Sequence, residues 1–168
     1  MLAGYSELLN QLNSWLWLVS ISLPFVVLFM GKGSQSYFIV AAVWCTAQLF
    51  NLQFEEKLWA IATEPGNLFY WFGSWATIDV LCIALIIFCH KSLKIKIDFE
   101  AFSISICLAM LAILQILTYL DGVVWQTYLL GEAYTLGVNT GNLANSLILA
   151  VPIVCKAIES FNLKRGTT

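Results

Sequence analysis

Asp79 is the one acidic residue near the middle of a long apolar stretch, and its neighbours suggest binding chemistry. Trp71, Trp75 and Asp79 recur every four residues, so a helix would carry two indoles and a carboxyl along one stripe. An acid at the centre of a membrane-spanning helix costs about 2.5–3.5 kcal/mol and usually faces a bundle interior or a wet cavity. Because no Lys or Arg lies at matching depth, we expect Asp79 to be protonated at neutral pH or to hold a cation.

Amide side chains on three other apolar stretches fall in the same outer half of the predicted bundle. They are Gln48, Gln115, Asn142 and Asn145. The inner halves of these stretches are nearly continuous apolar sequence, as in residues 80–88. The pattern therefore predicts a polar pocket open to the outside, lined by these amides and Trp75, with Asp79 as its floor. Such a pocket would take a small solute or a cation.

Interhelical hydrogen bonding is the competing explanation for these polar groups. Buried amides in membrane bundles contribute about 0.6 kcal/mol each to helix association. For each of the four amides taken singly, this structural role is the better explanation. Interhelical hydrogen bonding does not require an acid, however. The presence of a carboxyl at position 79 therefore favours a role for Asp79 that is linked to a ligand.

Residue types that would support a metal centre or catalysis are scarce. His90 is the only histidine, and none of the five cysteines belongs to a Cys-x-x-Cys pair. Asp79 has neither a histidine nor a second central carboxylate at its depth, as intramembrane catalysis would require. We therefore expect no metal, no cofactor and no enzymatic activity.

The elements that must position these residues are five apolar stretches. They cover residues 15–31, 37–54, 69–89, 101–120 and 138–158. Each approaches the roughly 20 residues that a helix needs to cross about 30 Å of hydrocarbon. The chain is 60% hydrophobic and 11% charged, far below the roughly 25% charge of soluble domains. The sequence predicts an all-α, polytopic membrane bundle of five transmembrane helices forming one domain over residues 1–168.

The basic residues indicate how this bundle is oriented. Five spans place seven of the eight basic residues on one side, and only Lys57 on the other. The positive-inside rule then puts the N-terminus outside and the C-terminus in the cytoplasm. If 37–54 did not cross, this asymmetry would collapse. Short loops and the charge bias favour a bacterial inner (cytoplasmic) membrane.

Three local patterns add detail to this architecture. Residues 123–130 form an amphipathic segment with Trp125 and Tyr128, which is typical of headgroup-level anchoring. Gly137 and Gly141 form a small-x-x-x-small pair that allows close helix packing. Pro152 interrupts the last stretch and should free a backbone carbonyl.

Two functions compete at this point. The leading interpretation is a non-enzymatic membrane-embedded subunit or accessory protein that acts through helix–helix contacts, in a homo-oligomer or with other membrane subunits. The alternative is binding or transport of a small solute or cation at Asp79. A net charge of −2 without a basic, aromatic surface gives nucleic-acid binding no support.

Overall fold

The computed structural model describes the backbone of residues 18–165 and the side chains of residues 18–162. All secondary structure in this part of the chain is helical. The helices are α1 (Leu18–Phe29), α2 (Gln35–Ala62), α3 (Leu68–Leu93), α4 (Phe99–Tyr119) and α5 (Gly131–Arg165), with a π-helical turn at Leu120–Val124.

Four of these helices are long and apolar enough to cross a membrane. They are α2, α3, α4 with its π-helical extension, and α5. The crossing predicted for 37–54 therefore has a suitable helix in α2. The described part of α1 has 12 residues, or about 18 Å, and is too short to span by itself. The predicted span 15–31 begins outside the described residues, so a fifth crossing stays a prediction.

Two helices extend beyond the apolar stretches that were predicted as spans. α2 runs on to Ala62, where the sequence suggested an outer connection after residue 54. α5 begins at Gly131 instead of residue 138. Hydropathy marks where side chains leave hydrocarbon, whereas a helix ends only where its backbone loses hydrogen bonds.

The segment 123–130 begins in the π-helical turn and continues as a folded loop. The buried Asp121 carboxylate accepts hydrogen bonds from the Thr127 hydroxyl and, at 2.9 Å, from the Leu130 amide. This carboxylate holds the loop while Trp125 and Tyr128 remain exposed. Their anchoring at headgroup level stays a prediction.

Packing within the bundle is sequential. α3 packs against α2 and α4, and α4 packs against α5. Gly137 and Gly141 allow the last of these contacts: a Cβ at Gly137 would lie 2.5 Å from a methyl carbon of Leu114, and one at Gly141 would lie 2.8 Å from Leu111. The small-x-x-x-small pair thus faces α4 of its own chain.

The apolar core lies toward the end of the bundle that carries Lys32, Lys91 and Lys94, here called the lysine-rich end. Its members come from all five helices and include Val27, Trp44, Ile86, Leu108 and Leu149. The buried Tyr37 hydroxyl donates to the Leu149 carbonyl oxygen at 2.9 Å. Pro152, three residues further on, has no N–H and disturbs the helical hydrogen bonds beside it. The carbonyl that loses its helical donor is that of Ile148, and Tyr37 binds the carbonyl one residue further along α5.

Two capping residues join the connections at the lysine-rich end. The Ser34 hydroxyl accepts from the Tyr37 amide at 2.9 Å and caps α2, while Asp98 accepts from the Ala101 amide at 3.0 Å and caps α4. The Ser34 hydroxyl also donates to the Asp98 carboxylate. The starts of α2 and α4 are therefore fixed to each other.

The predicted orientation is tested with single cysteines in a cysteine-free background. Pro65→Cys lies in the α2–α3 connection and Ser92→Cys near the end of α3. We expect a membrane-impermeant maleimide to label the first in intact cells and the second only after permeabilisation. A cysteine placed at residue 1 should label from outside. Labelling of that cysteine only after permeabilisation would leave four crossings.

Candidate functional site

A hydrogen-bonded bridge links three helices near the end of the bundle opposite the lysine-rich end. The Trp71 indole N–H donates to the Tyr134 hydroxyl at 3.1 Å, and that hydroxyl donates to Gln115 Oε1 at 2.9 Å. The Trp59 ring contacts Trp71 with centroids 5.1 Å apart. These contacts place Trp59, Trp71, Gln115 and Tyr134 at one level, so α2, α3, α4 and α5 share a common reference depth.

Counting inward from this level puts Asp79 and two amides at a similar depth. Asp79 lies eight residues beyond Trp71, Asn142 eight beyond Tyr134, and Asn51 eight before Trp59. At 1.5 Å per residue all three lie about 12 Å below the bridge. Three different helices thus contribute a carboxyl or an amide at one depth.

One turn deeper, two further amides lie on the inward faces of their helices. Gln48 is eleven residues before Trp59 and Asn145 is eleven beyond Tyr134. Eleven residues are close to three full turns, so each amide shares the face of its reference residue. Both side chains are buried. Asn51, Asp79, Asn142, Gln48 and Asn145 are together called the polar tier.

Asp79 itself lies on the stripe that α3 turns into the bundle. Trp75, Asp79, Cys82 and Ile86 follow the spacing of residues on one helix face, and the other three are buried. The carboxyl is partly buried and makes no hydrogen bond or ion pair with a described residue. The acid therefore faces protein and not lipid.

Several polar atoms at and below this depth have no partner in the described part of the chain. Asn145 is 0% exposed, and neither its amide nitrogen nor its amide oxygen makes a hydrogen bond. Asn51 Oδ1 and the Trp44 indole nitrogen are also buried without partners. Buried polar groups are normally hydrogen-bonded, because leaving one unpaired costs about 1–3 kcal/mol. These four buried atoms therefore lack hydrogen bonds with the described residues.

The six residues predicted as a site divide into two groups. Asp79, Gln48, Asn142 and Asn145 lie in the polar tier, as just described. Gln115 lies instead at the level of the bridge, about 12 Å from the polar tier along the helix axis. There its amide oxygen accepts a hydrogen bond from the Tyr134 hydroxyl. Trp75 is buried between these levels and stacks edge-on against Trp71 at 5.4 Å. Opening of the tier to the outside stays a prediction.

Sequence reasoning missed Tyr134 and Trp44. Tyr134 fell in a segment predicted to be a connection, and only the early start of α5 brings it into the bundle. Trp44 was hidden in an apolar run. A signal was present, however, because Trp44, Gln48 and Asn51 follow one another at helical spacing on one face of α2.

A second polar pair, Ser36 and His90, lies at the lysine-rich end. The Ser36 hydroxyl is 2.7 Å from His90 Nε2, and His90 Nδ1 donates to the Ile86 carbonyl oxygen at 2.6 Å. A nucleophile and its base would have similar geometry. Both side chains are buried, however, and Ser36 Oγ also accepts from the Asp98 amide at 3.1 Å. The pair joins α2, α3 and the start of α4.

Tyr134→Phe tests the bridge. Removing the hydroxyl leaves Trp71 Nε1 and Gln115 Oε1 without this partner, so we expect the free energy of unfolding to fall by about 1–3 kcal/mol. Tyr119→Phe is the matched control, because Tyr119 uses its ring against Phe69 but its hydroxyl has no hydrogen bond with a described residue. SDS titration in mixed micelles measures both losses. Equal losses would contradict the assignment.

Comparisons with known proteins add no family to this description. No protein-family model matches the chain, and no match was found among curated proteins or solved structures. Four long apolar helices indicate a membrane protein. Any more specific function has to be inferred from the polar interior and the surfaces of the bundle.

Proposed function

We propose that this chain is a non-enzymatic polytopic membrane protein that binds a small polar solute or a cation at the polar tier. Asp79 would provide the charge or the titratable proton, and the surrounding amides would orient the solute. One observation carries the proposal: Asn145 is fully buried, yet both polar atoms of its amide lack partners among the described residues.

The physical argument rests on what hydrocarbon does to polar groups. An amide buried for structural reasons alone should pair with a neighbouring helix, since lipid offers no hydrogen bonds. Asn145 shares a helix face with Tyr134, whose hydroxyl makes two hydrogen bonds at the bridge. The amide oxygen and nitrogen of Asn145 can therefore serve a ligand. A ligand that both donates and accepts would satisfy this amide.

The layers on either side of the polar tier support the same proposal. Toward the lysine-rich end lies the apolar core, in which Trp44, Ile86 and Leu149 belong to one buried cluster. On the other side lies the bridge of Trp71, Tyr134 and Gln115. A solute at the tier would thus rest on an apolar floor beneath a hydrogen-bonded aromatic layer. The proposal places the entry of the solute on the outer side of the predicted orientation.

Asp79→Asn tests the charge. The substitution is nearly isosteric, so the bundle should still assemble, but it should lose binding of a cation or a proton. Sodium, potassium and methylammonium are the probes, and the unfolding temperature of the purified protein is the measurement. We expect at least one cation to stabilise the wild type and the exposed-acid control Glu132→Gln, and none to stabilise Asp79→Asn. Infrared spectroscopy of the same variants reports a protonated carboxyl. A wild-type protein that shows neither stabilisation by a cation nor the infrared signal of a protonated carboxyl would refute the proposal.

Asn145→Leu separates ligand binding from structural hydrogen bonding by the sign of its effect. Leucine has nearly the same shape and removes two unpaired polar atoms, so the empty bundle should gain stability by about 1 kcal/mol. A structural amide would instead lose about 0.6 kcal/mol or more on substitution. SDS titration gives the difference. Asn162→Leu, at the exposed end of α5, controls for added apolar surface.

Association with copies of itself or with other membrane chains is the second candidate function. It is favoured by an apolar groove of about 610 Å³ between α4 and α5, lined by Met110, Ile113 and Leu117 on one side and by Thr140 and Ala144 on the other. Small residues let a further helix approach closely. The mass of the particle after mild detergent extraction distinguishes a larger assembly from a single chain.

A further inference from the structure

A charged cavity of about 340 Å³ lies at the lysine-rich end, between the starts of α2 and α4 and the second half of α5. Its charged lining consists of Lys32, Asp98, Glu100, Lys156 and Glu159. Val151 and Pro152 form an apolar wall on its deeper side. The volume far exceeds the roughly 30 Å³ share of one water molecule, so a group larger than a single ion fits.

Two opposite charges in this cavity are not paired with each other. Lys32 forms an ion pair with Glu159 at 3.2 Å, and Asp98 is occupied by Ser34 and the start of α4. Among the described residues, the Lys156 ammonium donates only to the neutral carbonyl oxygen of Met30, at 3.2 Å. Glu100 makes no hydrogen bond or ion pair with a described residue. One ammonium and one carboxylate therefore remain for a ligand.

We propose that this cavity binds the headgroup of an ethanolamine phospholipid. The phosphate would pair with Lys156, and the primary ammonium would donate to Glu100. The glycerol and the first acyl carbons would lie against Val151 and Pro152. The position fits, because the cavity lies where the apolar helices end at the lysine-rich side, and lysines at that level attract lipid phosphates.

The chemistry of the lining argues against the other common headgroups. A choline headgroup has the same charges but no N–H to donate to Glu100. An anionic glycerol headgroup brings no cation, and it would face three carboxylates against two ammonium groups. Only a zwitterion with a primary ammonium satisfies both unpaired charges.

Lipid retention by the full-length chain tests the proposal. The protein is placed in nanodiscs containing equal fractions of ethanolamine, choline and glycerol phospholipids, and native mass spectrometry counts the lipids that remain bound. We expect retention of the ethanolamine lipid over both others. Lys156→Gln and Glu100→Gln should each weaken it roughly fivefold, as for loss of a partly exposed ion pair.

Matched variants keep the test interpretable. Lys91→Gln and Glu56→Gln remove exposed charges outside the cavity and should leave retention unchanged. Lys156→Arg keeps the cation and should preserve it, which separates charge from folding. Equal retention of choline lipid, preference for the glycerol lipid, or cavity variants that behave like their controls would each overturn the proposal.

Discussion

A polar group surrounded by hydrocarbon must find its partner inside the protein, and this constraint organises the bundle. Tyr37 meets it by donating to the Leu149 carbonyl beside a proline in α5. Tyr134 meets it by accepting from Trp71 and donating to Gln115. Each of these hydrogen bonds joins different helices, so polar side chains set the register that apolar packing alone would leave free to slide.

The polar tier departs from this rule. The amide group of Asn145 and the Oδ1 atom of Asn51 are buried without hydrogen-bond partners among the described residues. They lie at the depths of Gln48 and Asp79. Proteins usually satisfy buried polar groups, and local departures from this rule concentrate where function requires them. The apolar core next to these unpaired atoms offsets their unfavourable free energy, since its members Ile104 and Leu149 are completely buried. The apolar core and the proposed binding site thus occupy adjacent layers of one bundle.

Carboxylates organise both ends of α4. Asp98 caps its start and receives the Ser34 hydroxyl from the preceding connection, while Asp121 closes the loop that follows its end. Each of these carboxylates accepts a hydrogen bond from a backbone amide that would otherwise lack a partner. The loops are short, so these two residues determine how α2 and α5 approach α4. The charged cavity at the lysine-rich end depends on the first of them.

Much of the architecture could be predicted from local pattern. Hydropathy located all four long helices, because an apolar run of about 20 residues is itself the signal for crossing. Helical spacing put Asp79 on one stripe with Trp75, and in the structure Trp75 is buried and Asp79 is partly buried. Hydropathy did not locate the start of α5 or the contacts of the loop that Asp121 closes, because both depend on hydrogen bonds and not on apolar length.

The sequence by itself determined that the chain is a helical membrane protein with an acid at mid-depth, since both conclusions depend only on neighbouring residues along one helix. Tertiary structure decided which side chains meet. Tyr134 reaches Trp71 across 63 positions, His90 reaches Ser36 across 54, and Lys156 reaches the end of α1 across 126. These pairings follow from how the helices pack against one another, and no periodicity within a single helix contains that information.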